Sequence, residues 1–416
     1  MAVSRYRGVG SAAMAREAFP VGASVTLDAF HLDPYPWYSR LVREEPVSWV
    51  PAAQMWFVTS AEYCRDILRD DDRFVVGFER STVRDILGEH MMSVDGERAR
   101  RYKRAHQGPF LPGSLREHME PRITTIAREL VGSFRDRGQV ELRSGFASRL
   151  PVLVMLALLG LPAADELLMR RWYDALEAAL ANTEFEARTR ELGKAAADEF
   201  HTHIRAAVRQ LRSDRRPGTL LDDLVHAAAD GPSGRLSDDE IVLNAGIVLF
   251  GGISTVEALV LDAVWALGQT EGALEAAVAD PTTVHRAVHE TIRWMGPVQT
   301  AHRMATTDVE VGGHTIRRGD MVACVLAAAN RDPAVFEDPD QFRPDRLDSH
   351  QHLGFAAGQH HCLGLHLALA ECRVALTELV AALPGLRVDP YRPSVPVGSE
   401  FRQPDHLWVV WDTVRA

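Results

Sequence analysis

The segment Phe355-Ala-Ala-Gly-Gln-His-His-Cys-Leu-Gly364 decides how this chain folds and what it carries. Cys362 stands directly before an apolar run, Leu363 to Leu383, that has helical spacing. A thiolate at a helix N-terminus is stabilised by the helix dipole and by the backbone N–H groups there. Gly358 and Gly364 let the backbone turn tightly and approach a flat cofactor closely. The segment is therefore suited to a thiolate that approaches a flat cofactor.

The segment has two other interpretations. A buried structural cysteine is the ordinary case for a lone cysteine, and it is our assignment for Cys64, Cys324 and Cys372. A zinc site is suggested by the histidines that crowd the same region, which are His350, His352, His360, His361 and His366. No C-x-x-C pair or second ligand cluster accompanies them, which disfavours zinc.

The composition sets broad limits on function. The 416 residues carry a formal net charge of -11, whereas a nucleic-acid-binding surface normally appears as a basic excess. Four cysteines in so long a chain do not resemble the disulfide framework of a small secreted domain. The N-terminal residues show no apolar signal stretch. We therefore expect a cytoplasmic protein that binds neither nucleic acid nor membrane.

One apolar run, Ile241 to Leu267, has the length of a membrane span. Five polar or charged residues interrupt it, namely Asn244, Ser254, Thr255, Glu257 and Asp262. Polar groups at this density are costly in lipid. A long helix through the centre of a protein is the better interpretation.

Apolar spacing predicts helices over most of residues 115–280, and strand-like patterns are short. The strand candidates are Val47 to Val50, Met55 to Val58, Val309 to Ile316 and Met321 to Leu326. Residues 330–364 are predicted to form a long ordered loop. We expect a mainly α fold with small β-sheets (α+β), as one domain over 1–416. Its helix-rich part covers about 95–295 and 360–385, and its β-containing part about 25–75, 297–330 and 385–416.

Two further motifs accompany the cysteine segment. Glu290-Thr-Ile-Arg293 places a carboxylate and a guanidinium one helical turn apart, and Phe342-Arg-Pro-Asp-Arg346 follows downstream. Gly251-Gly-Ile-Ser-Thr255 lies in the long central run. At about 100° per residue, one helix face gathers Asn244, Val248, Gly251, Gly252 and Thr255.

With these motifs the chain resembles the cytochrome P-450 family. The signature F-x-x-G-x-H-x-C-x-G is matched by Phe355, Gly358, His360, Cys362 and Gly364, and Ala356 stands where the family often has glycine. The resemblance implies a P-450 fold with a long central helix over haem b (iron protoporphyrin IX), and Cys362 as the proximal iron ligand. It also implies that Glu290, Arg293 and Arg346 form a structural network.

The resemblance assigns oxygen activation to Gly251, Gly252, Ser254 and Thr255, with one departure. Thr255 matches the family's threonine, whose hydroxyl assists proton delivery, but Ser254 replaces the preceding acid. Serine is no carboxylic proton reservoir. Glu257 points about 200° away from Thr255 around the helix. Protons must then come through water, substrate groups, Ser254 as a relay, or a peroxide route.

A second departure concerns the haem propionates. Asp95 to Arg104 resembles the family's D-G-x-x-H-x-x-x-R segment, but Ala99 replaces its histidine and Lys103 its arginine. Lys103, Arg303 and His360 are the implied propionate partners. The same helix carries four arginines, Arg98, Arg100, Arg101 and Arg104. They form either a solvated surface or a docking surface for an acidic electron carrier, and the sequence leaves both open.

The resemblance implies a monooxygenase that activates O2 with electrons from an external ferredoxin and ferredoxin reductase. It would hydroxylate or epoxidise a small organic substrate in secondary metabolism. The implied pocket residues are Asn244, Val248, Val298, Gln299, Thr300 and Phe401, with Glu400 as a further polar candidate. Their polarity suggests a substrate with hydrogen-bonding groups. A peroxide-driven peroxygenase and a non-catalytic haem binder or sensor are the alternatives.

Overall fold

The computed structural model describes residues 17–78, 81–180, 186–228, 231, 234–269 and 271–413. They fall into two compact units. The sheet unit comprises residues 17–76, 261–362 and 390–407, and the helical unit comprises 77–260, 363–389 and 408–413. The architecture is mainly helical with small sheets, which confirms the predicted fold class.

The sheet unit is built on a five-stranded sheet with the order β1-β2-β8-β5-β3. Its strands are β1 (Val47–Val50), β2 (Met55–Val58), β3 (Phe74–Val75), β5 (Thr300–Ala305) and β8 (Met321–Val325). Side chains alternate between the two faces of each strand. Trp56, Val58 and Cys324 therefore pack into one apolar cluster, and Phe57 and Ala323 into another. This two-sided burial explains why strands β1, β2, β3 and β8 carry almost no polar residues.

The smaller strands and the helices of this unit follow the same sequence signals. The Gly312-Gly313 turn separates β6 (Val309–Val311) from β7 (His314–Ile316), so the single run predicted there is a hairpin. A second pair joins β10 (Pro396–Val397) and β11 (Gln403–Pro404). The helices lying wholly in this unit are Pro20–Ser24, Leu27–Leu32, Tyr35–Glu44, Ala61–Arg69, Ala273–Ala277, Pro281–Trp294 and Leu326–Ala329.

The α-helices that lie wholly in the helical unit include most of the predicted long helices together with several short ones. They are Thr82–Leu87, Gly96–His106, Pro112–Ser114, Glu120–Gly132, Leu150–Leu159, Glu166–Leu180, Ala187–Leu211, Leu220–Val225, Asp238–Gly252 and Leu365–Ala382. One small antiparallel sheet has the order β4-β12-β9, formed by Gln139–Glu141, Trp408–Val410 and Arg387–Val388. The helix Leu150–Leu159 is buried along almost its whole length, as its uninterrupted apolar sequence requires.

The long central run forms two helices, Asp238–Gly252 and Ser254–Leu267, that meet at Ile253. A capping box starts the first helix, with the Ser237 and Glu240 side chains each bonded to the other's backbone N–H. By length and composition the run could cross a membrane, but 72% of its most apolar stretch is buried inside the protein. Such burial is what the core helix of a folded domain shows.

Candidate functional site

The cysteine loop of the sheet unit is held by its own backbone. The Cys362 N–H donates to the Phe355 carbonyl at 3.0 Å, and the His361 N–H donates to the Gly358 carbonyl at 3.2 Å. Gly358 has φ +72°, and a Cβ there would lie 2.1 Å from the Leu68 carbonyl oxygen. Only glycine fits, because both the backbone conformation and the space exclude a side chain.

Cys362 differs from the other three cysteines in exposure. Cys64, Cys324 and Cys372 are buried, whereas Cys362 is exposed. Burial raises the pKa of the Cys64 thiol, and its neighbour Cys324 raises it further. Among the described residues, no group of three or more His, Cys, Asp or Glu side chains is placed to hold a metal ion. An accessible thiol on a glycine-shaped loop fits the proximal ligand of a haem iron better than a zinc site.

Ala356 takes an unusual conformation in the same loop. Its φ is +56°, in the left-handed region that favours glycine. The structure accommodates the alanine at a conformational cost.

Glu290 organises the loop before the cysteine. Its carboxylate accepts two hydrogen bonds from Arg293, at 2.7 and 2.8 Å, and one from Arg346 at 3.2 Å. All three side chains are buried. Arg293 also donates to the carbonyls of Asn330, Pro339 and Gln341, and Arg346 to those of Glu337 and Asp338. Two guanidinium groups thus tie residues 330–346 to one helix.

Strand β5 carries Thr300 and Arg303. The Thr300 hydroxyl donates to the Glu400 carboxylate, and His302 Nε2 lies 3.5 Å from the other Glu400 oxygen. Arg303 is buried and donates to the His302 carbonyl at 2.8 Å. Phe401 is half-exposed and bridges to the Val298 backbone. Thr300, His302 and Glu400 therefore form a polar cluster that is accessible to solvent.

Two predicted pocket residues instead bind backbone. Gln299 is fully buried, and its amide nitrogen donates to the Met295 and Gly296 carbonyls at 2.9 and 2.7 Å. Asn244 is also fully buried; it accepts from the Met91 N–H and donates to the Glu240 carbonyl, both at 2.8 Å. The Asn244 amide and the Gln299 amide nitrogen hold the protein's own chain, whereas Gln299 Oε1 has no hydrogen-bond partner among the described residues.

The Gly251-to-Thr255 segment of the helical unit is shaped by its glycines. Thr255 Oγ1 donates to the Gly251 carbonyl at 2.7 Å. Gly251 is exposed, and a Cβ there would meet nothing within 4 Å. A Cβ on Gly252 would lie 2.5 Å from Met155 Sδ. The first glycine leaves the helix surface open beside Thr255, and the second allows close packing.

Ser254 faces a buried polar group on another helix. Its backbone N–H donates to the Tyr173 hydroxyl at 3.2 Å, and that hydroxyl donates to Glu177 Oε1 at 3.3 Å. Glu257 instead accepts from Arg143 Nε at 2.6 Å. Burial raises the pKa of both Glu177 and Glu257.

Sequence reasoning did not identify Glu177 or Arg143. The Tyr173 and Glu177 spacing of one helical turn is visible in the sequence, but the packing of that turn against Ser254 is not.

The basic helix Gly96–His106 has acidic partners for each of its four arginines. Arg101 pairs with Glu240 at 2.6 Å, Arg98 with Glu89, and both Arg100 and Arg104 with Glu97. Arg101 lowers the pKa of Glu240 to about 2. Ala99, at the position of the family's histidine, is buried, and Lys103 is half-buried. The acidic partners weaken the argument that this helix is a strongly positive docking surface.

Comparison with known proteins gives a consistent result. The family model for cytochrome P450 matches residues 265–383. The mycinamicin IV hydroxylase/epoxidase of Micromonospora griseorubida is 35% identical over 390 residues, covering 90% of this chain and 94% of that protein. The putative cytochrome P450 YjiB of Bacillus subtilis is 30% identical over 358 residues, covering 86% and 88%. The crystal structure of the versatile cytochrome P450 enzyme CYP109B1 from Bacillus subtilis matches with a TM-score of 0.81 at 27% identity, covering 91% and 100%.

Proposed function

Because the chain belongs to the cytochrome P450 family, we propose that it is a ferredoxin-dependent monooxygenase that hydroxylates or epoxidises a small organic substrate of secondary metabolism. Family membership makes it a haem-iron oxidoreductase that uses O2, an organic substrate and redox partners. The exposed Cys362 in its glycine-shaped loop is the observation that carries the proposal. We place the enzyme in the cytoplasm and its redox chemistry on haem b.

The chain's residues have separate roles in this proposal. When bound, the haem supplies an iron centre whose thiolate ligand favours cleavage of the O–O bond. Cys362 provides that thiolate, and Phe355, Gly358 and Gly364 shape its loop. Arg303, His360 and Lys103 hold the propionates, as their positions in the family motifs suggest. Arg303 suits this role because a buried guanidinium favours an anionic partner.

We assign oxygen activation to the segment Gly251–Thr255. The Thr255 hydroxyl, next to the open surface at Gly251, is placed to hold a water and pass on its proton. Gly252 keeps the helix close to Met155. Ser254 relays protons and is not their source, because a hydroxyl has no acidic proton to lose near neutral pH.

We propose that the substrate carries hydrogen-bonding groups. Asn244 contributes buried surface and not a polar contact, since its amide is used by the backbone. The Gln299 amide nitrogen is used in the same way, and its Oε1 has no hydrogen-bond partner among the described residues. Val248, Val298 and Phe401 supply apolar surface. The polar contact then comes from Thr300 and Glu400, whose cluster suits a substrate hydroxyl or amine. The relative named mycinamicin IV hydroxylase/epoxidase makes mycinamicin IV a first compound to test.

A ligand screen tests the substrate proposal. Binding of a substrate in the pocket changes the iron from low spin to high spin, and the absorbance shifts with it. Mycinamicin IV, and molecules with hydroxyl or amine groups, should give this shift. Thr300→Val and Glu400→Gln should weaken the best ligand by about tenfold, the value of one hydrogen bond to a charged group. Arg387→Gln, in an exposed pair with Asp412, is the matched control. Equal affinity in all variants would contradict the polar contact.

The absence of an acid at position 254 favours one second candidate, a peroxide-driven peroxygenase. Product formation with hydrogen peroxide is then compared with formation from NADPH through ferredoxin and its reductase. Faster turnover with the carrier supports the monooxygenase. Turnover with peroxide alone would replace the proposal by the peroxygenase.

A further inference from the structure

The acid that the family places before its threonine is missing from the central helix, yet a carboxyl group lies beside the same position. We infer that Glu177 supplies protons for oxygen activation through the hydroxyls of Tyr173 and Ser254. The inference rests on the proposed function and names the proton source for that reaction.

Geometry carries the inference. Tyr173 and Glu177 occupy successive turns of the helix Glu166–Leu180, and the Tyr173 hydroxyl reaches Glu177 Oε1 at 3.3 Å. The same hydroxyl accepts the Ser254 N–H at 3.2 Å, so it lies next to the start of the helix that carries Thr255. The Ser254 hydroxyl is buried and has no hydrogen-bond partner in the described part of the chain. A buried hydroxyl without a partner, beside a tyrosine and a carboxyl group, is suited to relay protons.

The surroundings of Glu177 raise its pKa. Burial is the main cause, and Asp174 raises the pKa further. The Tyr173 hydroxyl and the Arg143 guanidinium lower it. Tyr173 remains a hydroxyl, because burial and Glu177 hold its pKa well above the usual value. Glu177 is half-exposed, so its carboxylate is reprotonated from solvent after each transfer.

Glu257 is a poorer source although it lies closer to Thr255 in sequence. Its carboxylate is bound to Arg143 at 2.6 Å. It also leaves the helix about 200° away from Thr255. Arg143 therefore holds Glu257 as a structural ion pair, and Glu177 is the carboxyl group that reaches Ser254.

The proton balance of the relay is simple. Glu177 gives its proton to the Tyr173 oxygen, Tyr173 gives its own to Ser254, and Ser254 releases one towards bound oxygen. One proton moves along the relay and Glu177 becomes a carboxylate. A proton from water then restores the acid form of Glu177. Without organic substrate, four electrons and four protons convert O2 to two water molecules, whereas two electrons and two protons release hydrogen peroxide. The water-forming branch needs two more protons for each O2 than the peroxide branch, so a slower proton supply raises the share of peroxide.

The first test needs no turnover. Infrared difference spectra of the carbon-13-glutamate-labelled holoenzyme are recorded while pH is varied. The account predicts a protonated carboxyl band that persists to higher pH than that of an ordinary glutamate and is absent in Glu177→Gln. The band shifts in Tyr173→Phe, because that variant removes a hydrogen bond to Glu177. Glu44→Gln, which removes an exposed carboxylate paired with Arg40, keeps the band.

The second test measures peroxide released per O2 consumed, using NADPH with plant ferredoxin and its reductase. Glu177→Gln and Ser254→Ala should slow the water-forming branch by about tenfold or more, the lower range for general acid catalysis. The part of the pH dependence of the peroxide yield that Glu177 causes should be absent from Glu177→Gln. Placing an acid back on the central helix, in Glu177→Gln with Ser254→Asp, should restore water formation. Glu44→Gln should behave as the unchanged protein.

Both tests separate this inference from the proposed function. The reduced carbon monoxide spectrum of each variant shows whether the thiolate-ligated haem is intact. An intact spectrum with an unchanged carboxyl band and unchanged peroxide yield in Glu177→Gln overturns the relay and leaves the monooxygenase standing. Loss of the spectrum in the unsubstituted protein overturns the proposed function itself.

Discussion

Ala356 is an alanine in a conformation that glycine adopts more easily, two residues before the Gly358 turn. Replacing it tests whether the loop is strained. Ala356→Gly should raise the free energy of unfolding by about 1 kcal/mol, because the left-handed penalty is removed. Thermal or urea unfolding of the haem-loaded protein measures it.

Ala357 offers a matched control, since its φ of -149° is ordinary extended backbone. Ala357→Gly should lower the free energy of unfolding by about 0.5–1 kcal/mol, through greater freedom of the unfolded chain. Equal effects of the two substitutions would show that the loop pays no conformational cost at Ala356.

Asp262 is a fully buried carboxyl, and neither of its oxygens has a hydrogen-bond partner among the described residues. Burial raises its pKa well above the usual value, and Arg402 lowers it. The unfolded chain ionises first as pH rises, so Asp262 progressively destabilises the fold above its ordinary pKa of about 3.9. Asp262→Asn should therefore gain stability relative to the parent as pH goes from 5 to 8. Parallel stability curves would contradict this.

At single residues, the sequence predicted contacts only where the residue type restricts the outcome. Gly358 and the exposed Cys362 follow from their chemistry. Asn244 and Gln299 were placed in a pocket from helix face and motif position, but their amides are used by nearby backbone. A repeating pattern gives the direction of a side chain and does not give its hydrogen-bond partner.

At the scale of elements, the Glu290 network ties the loop 330–346 to the helix Pro281–Trp294. Glu290→Gln leaves two buried guanidinium groups with too little negative charge, and should cost about 3–5 kcal/mol of unfolding free energy. Haem retention should fall as well, because this loop leads into the cysteine segment. Denaturant unfolding and haem absorbance measure the two effects.

The control is Glu378→Gln, which breaks the more exposed Arg128 pair in the helical unit. A pair of this kind is worth about 1 kcal/mol or less. A similar loss in both variants would mean that the Glu290 network is no more important than a surface pair.

Alanine substitutions at the two glycines of the central helix test whether their surroundings differ. A methyl group at Gly252 meets Met155, whereas one at Gly251 meets open space. Both substitutions gain the same helix propensity, so the comparison isolates packing. Gly252→Ala should be less stable than Gly251→Ala by about 1–3 kcal/mol, the usual cost of overpacking. Equal unfolding midpoints would contradict the close packing at Met155.

The elements themselves were largely predictable. Strands β1 and β2 have the predicted bounds, since apolar runs between turn residues leave few alternatives. The central run was predicted as one helix but divides at Ile253, directly after the glycine pair Gly251-Gly252. The contact of Tyr173 with Ser254 joins segments 81 residues apart, and helix spacing carries no information about such pairs.

At the scale of the molecule, family membership was predictable because its motifs occur in order from about residue 95 onwards. The single-domain interpretation and the ferredoxin partner stay predictions. The net charge of -11 and the paired arginines of the helix Gly96–His106 limit steering of an acidic carrier to local effects. Proton supply is where this chain departs from its family, because one acid has been replaced by serine.

The most direct measurement is the absorption spectrum of the purified, reduced protein under carbon monoxide, with Cys362→Ser beside it. The account predicts the band typical of thiolate-ligated haem in the unsubstituted protein, and its loss in Cys362→Ser while Cys324→Ser, at a buried cysteine, keeps it. Absence of the band from the unsubstituted protein, or its survival in Cys362→Ser, would contradict the assignment of this sulfur to iron.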